Sequence, residues 1–145
     1  MSNKKYLFAN WKMYLNFQES EQLAKDIAFN LDSKVENIEM AVFPSALSLQ
    51  NTKEVLKSTS ITIGAQNAYW VDKGGYTGEV SMQMFAQMGC KYALIGHSER
   101  RHQFKETEQD VRRKMEACSD AGLIPVLCVG ETEQQRQLKQ EEQVV

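Results

Sequence analysis

Nowhere in this 145-residue chain do apolar residues run for the roughly 18 to 20 positions needed to span a bilayer, so no membrane partner is expected. A secretory leader is not expected either. Met1-Ser2-Asn3-Lys4-Lys5 leads directly into Tyr6-Leu7-Phe8-Ala9, an apolar stretch too short for a signal core and interrupted at Asn10. Basic residues are mixed with acidic ones at a net charge of −2, and Arg100-Arg101 is too short to form a patch, which argues against nucleic acid as a partner. The chain has only three cysteines, Cys90, Cys118 and Cys128. Their odd number argues against a disulfide framework, and they lack zinc-type spacing. A reduced, cytoplasmic protein with its cysteines used as small core residues is the expectation. No linker, low-complexity tract or domain boundary interrupts the sequence, and residues 1–145 read as part of one domain.

What is present is ordinary globular composition, 42% hydrophobic and 25% charged, enough for a real core. Short apolar runs at Tyr6–Ala9, Met40–Phe43, Ile61–Ala65, Tyr92–Ile95 and Val126–Val129 lack clean polar alternation, as parallel strands covered on both faces do. Helical patterns lie between them. Leu23, Ile27 and Leu31 recur four apart, with Ala24 and Ala28 widening the stripe. Val111, Met115 and Cys118 repeat the pattern behind Thr107-x-x-Asp110, which resembles a capping box. Gly89 and Gly122 each follow a helix and precede a strand, where helix-ending glycines belong.

The order is βαβαβαβαβα with the last helix cut short, an α/β parallel sheet built from crossover units. Periodicity alone does not separate an open doubly wound sheet from part of a (β/α)₈ barrel. The strand ends favour the barrel. Asn10 and Lys12 follow the first strand, Gln66 and Asn67 the third, His97 to Glu99 the fourth and Glu131 the fifth. A barrel site is assembled from the carboxyl ends of several strands in this way. No G-x-G-x-x-G follows the first strand, which counts against a dinucleotide fold.

Three segments carry candidate chemistry. In Asn10-Trp11-Lys12 the amide and the ammonium leave an extended backbone on the same side and suit a small anion such as a phosphate monoester, although a lysine at a strand end is ordinarily a solvated rim residue. In Gly96-His97-Ser98-Glu99-Arg100-Arg101 the histidine stands where a helix begins. The positive end of a helix disfavours imidazolium, and a neutral imidazole can polarise a carbonyl. The ordinary alternative is a core histidine satisfied by backbone groups. Glu99 is either a partner for Lys12 or a helix-start carboxylate, and His102 reads as a surface residue. Gly74-Gly75-Tyr76-Thr77-Gly78-Glu79 is a shaped loop, either a projection into a partner or an Ω-loop packed on its own protein. Cys128 reads as packing rather than a nucleophile.

Phe8-Ala9-Asn10-Trp11-Lys12-Met13, Gly64-Ala65-Gln66-Asn67, Tyr76-Thr77-Gly78-Glu79, Ala93-Leu94-Ile95-Gly96-His97-Ser98-Glu99-Arg100-Arg101 and Pro125-Val126-Leu127-Cys128-Val129-Gly130-Glu131 together resemble the triosephosphate isomerase family over essentially the whole chain. The resemblance implies a partial TIM barrel holding strands one to five, helices one to four and the start of helix five. It implies an isomerase of dihydroxyacetone phosphate and glyceraldehyde 3-phosphate that needs no cofactor. Lys12 would bind phosphate and stabilise negative charge on the substrate oxygen, Asn10 would hydrogen-bond that oxygen, and His97 would be the neutral electrophile, a known device of this family. Ser98 and Glu99 would support the site, Glu99 by holding Lys12. Thr77 beside Tyr76 would enter a neighbouring subunit's site.

A full barrel takes about 250 residues. The family's glutamate base, lid and phosphate loops follow later strands, and neither Glu99 nor Glu131 matches the base. Both outer strands would be open parallel edges that invite association. The expectation is therefore a split enzyme, completed by a second chain of roughly 100 residues that supplies strands six to eight and the base. The alternative is two copies self-associating into an inactive assembly. Lys105 has no assigned role.

Overall fold

The computed structural model describes residues 4–31 and 37–144; Met1 to Asn3, the first residues of the leader reading, lie outside them. Five strands, β1 (Lys5–Asn10), β2 (Ile38–Phe43), β3 (Ile61–Ala65), β4 (Tyr92–Ile95) and β5 (Ile124–Leu127), lie in the order β1-β2-β3-β4-β5, every neighbouring pair parallel. Helices make the crossovers: α1 (Phe17–Asn30), then α2 (Leu49–Leu56) behind a single 3₁₀ turn at Ala46–Ser48, then α3 (Met82–Met88). Among the described residues no helix is long and apolar enough to cross a membrane.

The sheet is curled into half of a barrel, and one contact measures the curl. Phe8 on β1 and Tyr92 on β4 have ring centroids 4.8 Å apart. Three strand spacings in a flat sheet would separate them by about 14 Å. The concave face therefore closes on itself. Ala41, Phe43, Tyr92 and Leu94 are buried there, with Phe8, Val126 and Cys128 packed beside them. Residues of the other parity, Met40, Val42, Ile61, Ile63, Ala65, Ala93 and Ile95, form the larger core with the helices. This double coverage explains why the central strands read as continuous apolar runs.

The edges differ. Leu7 on β1 is 61% exposed and Val129 beyond β5 is 65% exposed, whereas β4 is buried throughout. Strand β5 also begins two residues earlier than the apolar run suggests and includes Pro125. Ile124 and Cys128 donate backbone N–H groups toward β4, both at 2.9 Å. The nitrogen of Pro125, of opposite parity, faces the open edge, where no donor is missed.

Local signals set the helix ends. Asn16 caps α1, its Oδ1 accepting from Glu19 N at 2.9 Å while Glu19 Oε2 accepts from Asn16 N at 2.8 Å. The Thr107 box is present as expected: Thr107 Oγ1 accepts from Asp110 N at 3.2 Å and Asp110 Oδ2 accepts from Thr107 N at 3.0 Å. Each such cap is worth about 1 kcal/mol. Gly89 closes α3 at φ 91°, a conformation that few other residues adopt without strain. The fourth crossover differs from the expected single helix. It is divided into α4 (Ser98–His102) and α5 (Glu108–Asp120), because Thr107 starts a new helix. After β5 come two short helices, α6 (Glu133–Gln137) and α7 (Glu141–Val144).

At the end of the half-barrel where the strands begin, Glu39 accepts from Lys4 at 2.5 Å and also from Lys91. The Lys4 bond first, then that from Lys91, lowers its carboxyl from the usual glutamate value to about 2. A depressed carboxylate pKa stabilises the fold above its unfolded value and loses that contribution as pH falls through the folded one. Unfolding monitored from pH 5 to 2 should therefore show a shallower acid decline for Glu39→Gln than for the parent. Parallel declines would contradict this.

Candidate active site

The opposite end of the half-barrel gathers the polar residues that follow the strands. Beyond β1 the backbone turns sharply, and Lys12 takes φ 53°, left-handed and unusual for a residue with a Cβ. Its N–H donates to Asn10 Oδ1 at 2.9 Å and its carbonyl accepts from Gln66 Nε2 at 2.8 Å. Its ammonium reaches across to α4 and donates to Glu99 Oε1 at 2.7 Å. That bond raises Lys12 above the usual lysine value and lowers Glu99 below the usual carboxylate value.

Strand β4 delivers the second group. Gly96 takes φ 67°, and a Cβ there would fall 2.7 Å from Arg101 Nη2. Arg101 Nε donates to the Gly96 carbonyl at 2.6 Å, so the glycine leaves room for its own lock. His97 follows as the N-cap of α4, and its Nδ1 accepts from Glu99 N at 3.3 Å. Because Nδ1 is an acceptor, the neutral ring carries its proton on Nε2, the nitrogen free to donate. Glu99 Oε2 stands 3.6 Å from Nδ1. An ion pair there would need a proton on the nitrogen that accepts the backbone bond, so the hydrogen bond describes this contact better.

Asn10, Lys12, His97 and Glu99 are thus joined through the amide of Asn10 and the carboxylate and backbone of Glu99. Ser98 opens α4 but is exposed, and among the described residues no hydrogen bond ties its hydroxyl to this set. His102 is exposed, in keeping with a surface reading. Tyr76 packs at a tilt against Tyr69 with centroids 4.8 Å apart, and Tyr69 stacks on Trp70 at 4.1 Å, so the base of the third loop packs on its own protein. Tyr76 remains 42% exposed, and Thr77 and Gly78 at the tip are exposed too. Glu131 pairs with Arg136 at 2.9 Å. Burial pushes the Cys128 thiol up, as suits packing better than attack.

The sequence reading missed a buried polar knot behind α4. Glu106 Oε2 accepts from Lys114 Nζ at 2.6 Å and from Arg100 Nε at 2.8 Å, and Lys114 also donates to Asn67 Oδ1 at 2.6 Å. The side chains of Lys114 and Glu106 are each only 4% exposed. Burial lowers Lys114, with the Glu106 bond opposing it. Burial pushes Glu106 up, but the bonds from Lys114 and Arg100 leave it below its usual value. The available signal was a lysine on the apolar stripe of α5, one residue before Met115.

Comparison with known proteins agrees with the parallel α/β sheet. The family model described as triosephosphate isomerase matches residues 5–145. The chain belongs to the triosephosphate isomerase family. It is 39% identical to the triosephosphate isomerase of Dictyoglomus thermophilum, covering 98% of this chain and 57% of that protein. It is 40% identical to that of Clostridium tetani, over 98% of this chain and 55% of the relative. With the enzyme of Dehalococcoides mccartyi it shares 43% identity over 84% of this chain and 47% of the relative. The chain therefore spans about half the length of the curated triosephosphate isomerases it matches.

The buried knot yields a stability prediction. Lys114→Met removes one partner of a buried ion pair and should cost about 3 kcal/mol in denaturant unfolding. Adding Glu106→Leu should recover part of that loss, because no carboxylate is then left buried. A double variant as unstable as the sum of the two singles would show that the pair is not coupled.

Proposed function

We propose that residues 1–145 form the N-terminal portion of one triosephosphate isomerase barrel and contribute the cationic and electrophilic half of its active site. The pairing of Lys12 and His97 on Glu99 carries this reading. In it, the assembled enzyme interconverts dihydroxyacetone phosphate and glyceraldehyde 3-phosphate in the reducing cytoplasm, completed by a complementary C-terminal chain that holds strands six to eight.

The chemistry divides accordingly. A glutamate on the complementary part removes a proton from the carbon next to the substrate carbonyl. Electron density moves onto the carbonyl oxygen and an enediolate forms. His97 Nε2–H donates to that oxygen, Asn10 supports it through its amide, and the Lys12 ammonium balances both the phosphate and the developing charge. His97 then moves the proton between the two oxygens, and the base returns its proton to the neighbouring carbon. Glu99 does not serve as the base: held below the usual carboxylate range by Lys12, it is a weak proton acceptor. Its task is to fix the cation. Tyr76 and Thr77 give the assembled barrels a route to a homo-oligomer.

The exposed apolar residues at β1 and beyond β5 favour one second reading, in which two copies join edge to edge. That assembly would have two copies of His97, no proper base and no activity. The readings separate on mixing. This chain and a polypeptide carrying the remaining strands with their glutamate should each be inactive alone and isomerise triose phosphate together. His97→Gln should lower the mixture's kcat by about 10²–10³-fold, the cost of deleting a preorganised donor. Turnover untouched by that substitution would refute the assigned role. A stable dimer, seen by ultracentrifugation, that ignores the second polypeptide would favour the inactive assembly.

A further inference from the structure

Gln66 lies just after β3 and is the polar strand-end residue that the chemistry above leaves without a task. Its amide donates both of its protons to backbone carbonyls, to Lys12 O at 2.8 Å and to Phe43 O at 2.7 Å. Phe43 O also accepts from Trp11 N at 3.1 Å. One side chain thus fastens the turn after β1 to the end of β2 from the end of β3.

The residue it grips is the strained one. Lys12 holds φ 53°, a conformation the chain around it must enforce. Asn10 Oδ1 holds the nitrogen of that residue at 2.9 Å and Gln66 holds its carbonyl, so the peptide groups on both sides of the Lys12 Cα are fixed. The direction of the Lys12 side chain toward Glu99 follows from that backbone. Without the Gln66 bond the carbonyl loses this partner, and φ is free to return to a negative value, swinging the ammonium away. We propose that Gln66 is a positioning residue that keeps Lys12 left-handed and its ammonium in the site, an inference that rests on the reading of Lys12 as the substrate's cation.

Only an uncharged amide fits here. A carboxylate of the same shape would set lone pairs against two carbonyl oxygens, whereas a protonated one could donate a single hydrogen bond. An alternative in which Gln66 merely ties the sheet together through Phe43 would leave Lys12 unaltered.

Two measurements test this. In NOE spectra of the full chain, a left-handed residue brings its amide proton close to its own Hα and gives an intense intraresidue cross-peak. That peak should be strong for Lys12 in the parent and lost in Gln66→Ala. In the reconstituted enzyme Gln66→Ala should lower kcat/KM by about 10²-fold, the scale of an ångström's misplacement. Gln66→Glu should be similarly impaired at neutral pH and recover partly in acid, a pH profile the parent does not share. Should Gln66→Ala fail to fold, Gln66→Glu carries both measurements. An unchanged Lys12 cross-peak in a folded variant overturns the proposal, as does full kcat/KM beside an active parent. If the parent mixture is itself inactive, the functional reading fails instead, and the cross-peak still decides the role of Gln66.

Discussion

The contact between Glu99 and Lys12 is what the candidate site depends on, since it spans most of the sheet. Lys12 stands beyond β1 and Glu99 in α4, behind β4, yet nitrogen and oxygen are 2.7 Å apart. The same glutamate donates its backbone N–H to His97 Nδ1. One residue thus localises the cation and fixes which nitrogen of the imidazole keeps the proton. The pair is more than a third exposed on both sides, so its net contribution to folding is small. Its value is positional: it gives a long, mobile ammonium one place to be.

That contact exists only because the sheet curls. A flat five-stranded sheet would put the end of β1 too far from α4, and the contact of Phe8 with Tyr92 shows that the apolar side chains of the concave face draw the strands round. Hydrophobic closure below therefore sets polar geometry above. The curl also accounts for the unequal burial of the strands. The helices and the concave core cover the central strands on both faces, while β1 and β5 keep one backbone edge and several apolar side chains in the open.

Much of this was legible beforehand where one residue type has one physical use. Alternating apolar runs and amphipathic stretches marked all five strands, and Thr107-x-x-Asp110 marked its helix. Strand-end polarity and then resemblance singled out Asn10, Lys12 and His97 as candidates, and the fold brings these three together around Glu99. Other features were hidden by compensation between distant residues. Lys114 lies inside an apolar stripe because Glu106 and Asn67 satisfy it, and no local pattern announces a partner eight or 47 positions away. The division of the fourth crossover was signalled by two helix starts, at Ser98 and at Thr107, within a segment read as one helix. Arg100 and Arg101 belong to a short helix of their own, anchored by Glu106 and Glu108 rather than by an apolar face. The apolar run Val126–Val129 missed the start of β5 at Ile124, where the strand passes through a proline that only an edge strand tolerates.

The two turns that carry the cation and the imidazole solve one problem differently. After β1 and after β4 the backbone must reverse its course to aim a side chain across the mouth, and both turns use a positive φ, at Lys12 and at Gly96. At β4 the left-handed residue precedes the candidate site residue His97, so it can be glycine, and Arg101 occupies the space a Cβ would need. At β1 the left-handed residue is itself the candidate site residue. Glycine would remove the strain and the charge together, so strain of about 1–3 kcal/mol is retained with the lysine. Hydrogen bonds to Asn10 and from Gln66 flank Lys12 on either side. A fold that was optimising stability alone would have no reason to keep a lysine in that conformation. There it is tied on both sides and aimed at Glu99, the arrangement on which the proposed role of its ammonium rests.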